Sequence, residues 1–282
     1  MKLAFQGELG AYSHLAALEL FPKSEVKICT TFEDCFKLAS DSHDYRIIIP
    51  IENSLAGRVA DIQYLIPKYK LQIYSEYFHP VNHNLLGLKG TKLSDIKTVR
   101  SHSQAISQCQ KIIQKNNLKP IITADTAGSA KYVSKNKNKS DSAIASSLAA
   151  KIYDLDIVAS NIEDETGNVT RFLIMGKNIH YPTLSDKKYI TSCIFRVKSK
   201  PAALYKCLGG FATNSVNLSK LESFSAKNSF DQFNFFIDIE GHIEESSVQK
   251  SLEELGFHTE SLDILGVYEA DKFRFKKKIN IT

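Results

Sequence analysis

No apolar run in the 282 residues approaches the roughly 20 needed to cross a bilayer, so a membrane span is not expected. The amino terminus, Met1 to Gln6, turns polar at Gln6-Gly7-Glu8 before a signal-peptide core forms, and cytoplasm is the default compartment. The five cysteines, Cys29, Cys35, Cys109, Cys193 and Cys207, lack both paired metal-ligand spacing and the density of a secreted disulfide scaffold. They are expected to be reduced and mostly buried. The eight histidines do not cluster, so no metal site is expected. The net charge of +5 is mild, and its basic residues are scattered or fall in two solvated stretches, Lys131 to Lys139 and Lys276-Lys277-Lys278. Without a stripe or a recognised binding motif, nucleic acid is not an expected partner.

What is present fits a soluble globular protein: 43% hydrophobic and 24% charged residues, with a mean hydropathy of -0.20. At this length at least two domains are expected, since a domain usually takes about 100 to 200 residues.

The stretch from Asn161 to Met175 draws attention first, because a polar, turn-rich loop runs into an apolar, strand-like run with Thr170 and Arg171 at the junction. A hydroxyl there can offer a proton while a guanidinium holds a carboxylate. Read by themselves, the two are a strand start and a surface charge.

Upstream, strand-like runs alternate with helices that begin on small polar residues. Lys2 to Gln6 leads through Gly7 and Gly10 to Ser13, read as the N-cap of a helix. Thr30 or Thr31 caps the next helix. Tyr45 to Ile51 is an unbroken β-branched run of the buried-sheet kind, ending in Glu52-Asn53-Ser54. His83, in a strand-like segment, reads as a structural histidine, because nothing nearby in sequence orients its ring. Ser101 and Gln108, seven residues apart, would share a face if both lay on one helix. Asp125 or Thr126 caps another helix, and Ser146 to Tyr153 forms one more. These junctions predict a two-lobed α/β module in which helix N-termini favour a small anion.

After Lys177 the texture changes. Asn178 to Lys188 reads as a linker. Beyond it come a strand at Tyr189 to Lys198, a helix at Pro201 to Thr213, strands at Val216 to Phe224 and Phe233 to Ile239, a helix at Ser246 to Leu255 ended by Gly256, and a strand at Leu262 to Val267. That order is βαββαβ, a ferredoxin-like unit with an exposed sheet edge that suits pairing with a copy of itself.

Five segments carry a resemblance along nearly the whole chain: Gly7-x-x-Gly10-x-Tyr12-Ser13, Pro50-Ile51-Glu52-Asn53-Ser54-x-x-Gly57, Ser101-His102-x-Gln104-Ala105-x-x-Gln108-Cys109, Asp125-Thr126-Ala127 and Thr170-Arg171-Phe172. Together they resemble the prephenate dehydratases. The downstream unit is similar to the ACT regulatory module that follows the catalytic part in that family, through Pro201-Ala202-Ala203-Leu204 and Asn217-Leu218-x-Lys220-Leu221-Glu222-Ser223.

The resemblance implies a two-lobed, periplasmic-binding-protein-like α/β catalytic domain over 1–178, with lobe one about 1–73 and 159–178 and lobe two about 74–158. It further implies a linker over 179–188, an ACT domain over 189–270 and a basic tail over 271–282. It implies conversion of prephenate to phenylpyruvate without a cofactor, on the way to phenylalanine. Thr170 is the implied donor to the departing hydroxyl, with Glu52, Asn53, Ser101 and Gln108 lining the cleft. Ser13, Ser54, Thr126, Arg171 and Phe172 are implied to contact substrate, Arg171 by pairing with a carboxylate. Glu52 either carries a proton and acts as the acid or orients Arg171 or a backbone group, because a bare carboxylate repels a dianion. Phe172 is either cleft wall or core.

The resemblance also implies a homodimer or homotetramer through the ACT unit and L-phenylalanine as effector, held by Ala202, Ala203, Leu204, Asn217, Leu218, Glu222 and Ser223. Here the chain departs from the family: Ala202 replaces the common glycine, and Phe224-Ser225 replace Arg-Pro. A weak or altered response to phenylalanine is the expectation. Arogenate is an alternative substrate. A non-catalytic, two-lobed small-anion sensor is a reading from another class, against which the complete Thr-Arg-Phe segment counts.

Overall fold

In a computed structural model of the chain, the described residues are 2–59, 62–177, 180–198, 200–225 and 232–275. The expected basic run Lys276 to Lys278 and the start of the expected linker, Asn178 and Ile179, lie outside them.

The elements run in the order β1 (Lys2–Gln6), α1 (Tyr12–Leu20), β2 (Glu25–Cys29), α2 (Phe32–Asp41), β3 (Tyr45–Asn53), β4 (Gly57–Arg58), α3 (Ile62–Tyr69), β5 (Gln72–Pro80) and β6 (Asn84–Gly87). Next come β7 (Thr98–His102), α4 (Ser103–Ser107), α5 (Gln110–Lys115), β8 (Lys119–Thr123), α6 (Thr126–Asn136), β9 (Asp141–Ala145), α7 (Ser147–Ile152), β10 (Asp156–Ala159) and β11 (Val169–Gly176). The remainder is β12 (Tyr189–Val197), α8 (Ala203–Thr213), β13 (Leu218–Ser225), β14 (Phe233–Glu240), α9 (Ser246–His258) and β15 (Thr259–Glu269).

Three sheets result, with strand orders β2-β1-β3-β11-β5, β10-β6-β9-β7-β8 and β13-β14-β12-β15, and with β4 paired to β3. The first two follow from βα alternation: Ile47 to Ile49 and Ile51 of β3 are fully buried, as a β-branched run in a covered sheet must be. The third is the antiparallel order that a βαββαβ chain produces; α8 and α9 pack on one face of it, over Cys193, Phe195, Phe235, Ile237 and Ile239. No described helix is long and apolar enough to cross a membrane.

The chain divides into two compact units. The first comprises residues 1–35, 47–59 and 78–172; the second comprises 36–46, 60–77 and 173–282. In the first, one hydrophobic cluster gathers Leu85, Val99, Ile106, Ile113 and Ile144, and another gathers Leu86, Ala130, Val133, Ala145 and Ala149.

The helix starts divide between expectation and correction. Asp125 caps α6 by accepting from the Gly128 N–H at 2.6 Å. Thr31 and Asp34 exchange side-chain bonds with each other's backbone N–H at the head of α2. Ser13, however, is not a cap: α1 begins at Tyr12 with Ala11 in the cap position, so Ser13 lies in the first turn. Ser101 and Gln108 do not lie on one helix. Ser101 belongs to β7, with His102 as the cap of α4 and Gln108 at its end, so the shared helix face does not exist. Pro201 lies outside α8, which starts at Ala203. Gly256 does not terminate α9, which continues to His258, because the α9 stripe Val248, Ser251 and Leu255 is already buried when the helix reaches it.

Candidate active site

The Gly7 to Tyr12 loop is clamped within the first unit. Gly10 has φ +90, and a Cβ there would meet Ala149 Cα at 2.8 Å, so only glycine fits the close approach. Its carbonyl accepts from Ser146 Oγ at 2.6 Å, and its N–H donates to His14 Nδ1 at 3.0 Å. Tyr153 adds a bond from its hydroxyl to Leu9 O at 2.8 Å. This clamp delivers Tyr12 to the interior.

Tyr12 Oη lies 2.8 Å from His83 Nδ1 and donates to Asn82 O, also at 2.8 Å. Burial, with Cys109 and Glu163 adding to it, holds the phenol pKa well above its ordinary value, so Tyr12 keeps its proton. His83, 2% exposed, precedes β6 and is held on every side. Its N–H donates to Glu163 Oε2 at 3.0 Å, its carbonyl accepts from the Ile162 N–H, and its Nε2 faces Gln108 Oε1 at 2.9 Å. Burial lowers the imidazole pKa, while the Gln108 bond and Glu163 oppose that shift. The ring is therefore neutral near pH 7.

Gln108 Oε1 also accepts from Asn168 Nδ2 at 2.8 Å. Asn168, 4% exposed, accepts from Asn53 Nδ2 at 2.7 Å, and the same Asn53 amide donates to Thr170 Oγ1 at 3.0 Å. Asn53 Oδ1 receives the Leu55 and Ala56 N–H groups at 3.0 and 2.8 Å. Ser54 holds the loop before β11 by donating to Gly167 O and accepting from the Val169 N–H, both at 2.9 Å. Next to this group lies a cavity of about 440 Å³ lined by Leu55, Ala56, Gln104, Ser107, Gln108, Asp164 and Glu165. Asp164 is occupied by the Gln110 and Lys111 N–H groups at 2.7 and 2.9 Å.

Thr170, Asn53, Ser54 and Gln108 are thus brought together. Ser101 is fully buried and its hydroxyl donates to Ile144 O at 2.7 Å, a bond that braces β7 against β9. Arg171 is 4% exposed, with its guanidinium carbon 5.8 Å from the Phe78 ring centroid. Successive strand residues face opposite sides, so Arg171 points away from Thr170. Phe172 is 1% exposed and belongs to the core rather than to a cleft wall. Glu52 stands opposite Arg58 in the β3–β4 ladder. Ser13 and Thr126 open helices, and among the described residues neither enters the hydrogen-bonded group around Thr170.

His83 was read as structural from sequence, and Asn168 and the role of Tyr12 went unread. The signal was present only as an Asn beside Gly167 and a Tyr just after a glycine turn; what orients them comes from segments 60 to 115 residues away. All five cysteines are buried, and burial raises each thiol pKa, so none supplies a thiolate nucleophile. No metal-holding cluster of His, Cys, Asp or Glu exists among the described residues.

A family model described as prephenate dehydratase matches residues 3–180. A bifunctional N-acyl-homoserine lactone acylase/prephenate dehydratase of Komagataeibacter europaeus is 41% identical over 97% of this chain and 98% of its own. A chloroplastic arogenate dehydratase/prephenate dehydratase of Arabidopsis thaliana is 37% identical over 97% of this chain and 73% of its own. The crystal structure of prephenate dehydratase from Arthrobacter aurescens in complex with L-Phe superimposes with a TM-score of 0.87 at 27% identity, over 96% of this chain and 90% of that one.

Proposed function

The chain belongs to the prephenate dehydratase family, a family of lyases of aromatic amino-acid biosynthesis, and we propose on that premise that it dehydrates and decarboxylates prephenate to phenylpyruvate with Thr170 as the donor to the departing hydroxyl. The bond from the ring to its carboxylate breaks as carbon dioxide leaves. Its electrons complete the aromatic ring and expel the 4-hydroxyl, which takes up a proton to leave as water. Aromaticity drives the sequence, so the enzyme's task is placement plus one well-aimed proton or hydrogen bond.

The observation that carries this reading is the 3.0 Å bond from Asn53 Nδ2 to Thr170 Oγ1. An oxygen that receives a hydrogen bond from an amide has its own proton to give elsewhere. The amide N–H also stabilises negative charge left on that oxygen during donation, as a preorganised dipole does. A neighbouring group or water must restore the Thr170 proton after turnover. Thr170→Ala is expected to lower kcat at least about a hundredfold with an unchanged circular dichroism spectrum. Phenylpyruvate formation, followed by its enol absorbance in alkali, measures this, and near-native turnover in the variant would remove Thr170 from the mechanism.

Arogenate, which carries an ammonium where prephenate has a side-chain ketone, is a second reading. The Glu165 carboxylate on the wall of the cavity beside Gln108 favours it, because a carboxylate suits an ammonium and repels a second anion. The ratio of kcat/KM for the two substrates decides between them.

The βαββαβ segment β12 to β15 is read as an ACT effector unit that binds L-phenylalanine and pairs chains into a homodimer or homotetramer. Support comes from a cavity of about 440 Å³ lined by Val197, Lys198 and residues 200–205, which include Ala202, Ala203 and Leu204. Asn217, Leu218, Glu222 and Ser223 lie at or on β13, an edge strand available for pairing.

A further inference from the structure

The side-chain amides around Thr170 can be oriented from the backbone outward, and the result assigns a task to two residues that no motif marks. Asn53 Oδ1 takes two backbone N–H groups, from Leu55 and Ala56. Its Nδ2 must therefore be the end turned to Asn168 and Thr170. Asn168 then presents Oδ1 to Asn53 and Nδ2 to Gln108 Oε1. Gln108 Oε1, an acceptor from Asn168, is also what His83 Nε2 faces, so Nε2 carries a hydrogen and Nδ1 is an acceptor for the Tyr12 hydroxyl, which shares its one hydrogen between Nδ1 and Asn82 O. Reversing any member would set donor against donor, a cost of about 1–3 kcal/mol for each buried group left unmatched. The bonds therefore diverge from Asn53, which donates to both Thr170 and Asn168, and converge on Gln108 Oε1, which accepts from Asn168 and His83, with Thr170 Oγ1 held as an acceptor at one end and His83 anchoring the other.

We propose that His83 and Asn168 are positioning residues for the dehydration. They lock the rotamers of Gln108 and Asn53 so that the Thr170 hydroxyl keeps its lone pair on Asn53 and its proton toward substrate. The network positions and does not conduct: its middle members are carboxamides, which hand on no proton at neutral pH. His83 suits the anchor position because four bonds fix it, one at each ring nitrogen and one at each backbone polar group, and because the Asn168 carbonyl accepts from the Val81 N–H at 2.8 Å and ties the two segments together. This inference rests on Thr170 being the donor.

The test is a cycle with prephenate as substrate. His83→Ala is expected to lower kcat between about tenfold and a hundredfold, the size of a misplaced catalytic group, with KM within about threefold. His83→Gln, whose amide N–H replaces the Nε2 donor, is expected to recover most of that loss. In the Thr170→Ala background His83→Ala is expected to cost nothing further, because a residue acting through another shows no separate effect once that other is gone. Should His83→Ala not fold, the near-isosteric Asn168→Asp, which sets a carboxylate oxygen against Gln108 Oε1, carries the same cycle. The inference is overturned if the single variant keeps kcat within about twofold of the parent, or if the loss is the same with and without Thr170. An active Thr170→Ala protein would instead remove the mechanism on which the inference stands.

Discussion

Two hydroxyls in the first unit meet opposite fates. Ser101 Oγ spends its hydrogen on a bond to Ile144 O inside a sheet, whereas Thr170 Oγ1 accepts a hydrogen bond from Asn53 and keeps its own hydrogen to donate. The chemistry of a hydroxyl is set by which neighbour fills which lone pair, and that depends on residues far off in the chain. Three buried histidines show the same dependence. His14 accepts a backbone N–H at Nδ1, and burial lowers its pKa. Burial also lowers His79, opposed by Glu19 at 3.0 Å, and His83, as described above. A histidine whose folded pKa lies below the ordinary 6.5 binds fewer protons folded than unfolded, so stability rises with pH through that interval and is lost as pH falls below about 6.5. Urea unfolding followed by circular dichroism is expected to show a lower midpoint at about pH 5.5 than at about pH 7.5, and a smaller difference in His14→Gln. Equal midpoints at the two pH values would contradict the burial argument.

At the scale of elements, the head of α8 shows what a departure from a family pattern does physically. Ala202 sits at φ 59 and ψ 22, in the left-handed region. There an alanine costs about 1–2 kcal/mol relative to a residue without a Cβ, and the glycine common in the family meets no such penalty. Glycine also loses about 0.4–1 kcal/mol through its freer unfolded state, so Ala202→Gly is expected to stabilise by about 0.5–1 kcal/mol. It is also expected to tighten L-phenylalanine binding, since it removes a methyl from a residue that lines the α8 cavity. Thermal unfolding and calorimetric titration measure the two effects, and a destabilised variant would mean that the turn does not require this backbone. Phe224, the other departure, is 4% exposed and meets the Tyr64 ring edge-on at 5.6 Å between centroids. It is a packing residue of the second unit. Elements of this kind were legible in advance wherever period and cap agreed, as at α6 with Asp125. They were misread where a serine or glycine stood near a boundary whose position packing decided, as at Ser13, Ser101 and Gly256.

At the scale of the whole molecule, each unit is assembled from pieces distant in sequence. In the second unit the side chain of Glu76 is fully buried and receives Arg274 Nε and Nη2 at 2.6 and 2.8 Å, a bidentate pair across 198 residues. The Asp271 N–H reaches the same carboxylate at 3.0 Å, and Gln63 Nε2 donates to Glu222 at 3.1 Å across 159 residues. Removing one partner of a buried ion pair costs about 3–5 kcal/mol. Because Asp271 still supports Glu76, Arg274→Ala is expected to fall at the lower end, about 3 kcal/mol, in urea unfolding. A loss under about 1 kcal/mol would show the pair to be solvated.

The sequence by itself determined the α/β alternation, the βαββαβ order after residue 188 and the family, and its short motifs singled out Thr170, Asn53, Ser54 and Gln108, which the fold brings together. Side-chain periodicity, cap chemistry and short motifs are local, and local patterns survive in a linear string. Only the tertiary structure decided that Ser101 and Phe172 are spent on the interior, that Arg171 faces away from Thr170, and that His83 and Asn168 belong with it. Hydrogen-bond direction depends on which donor meets which acceptor in space, and the partners of His83 come from the first residue of α1 and the end of α4, which become neighbours only once the chain has folded.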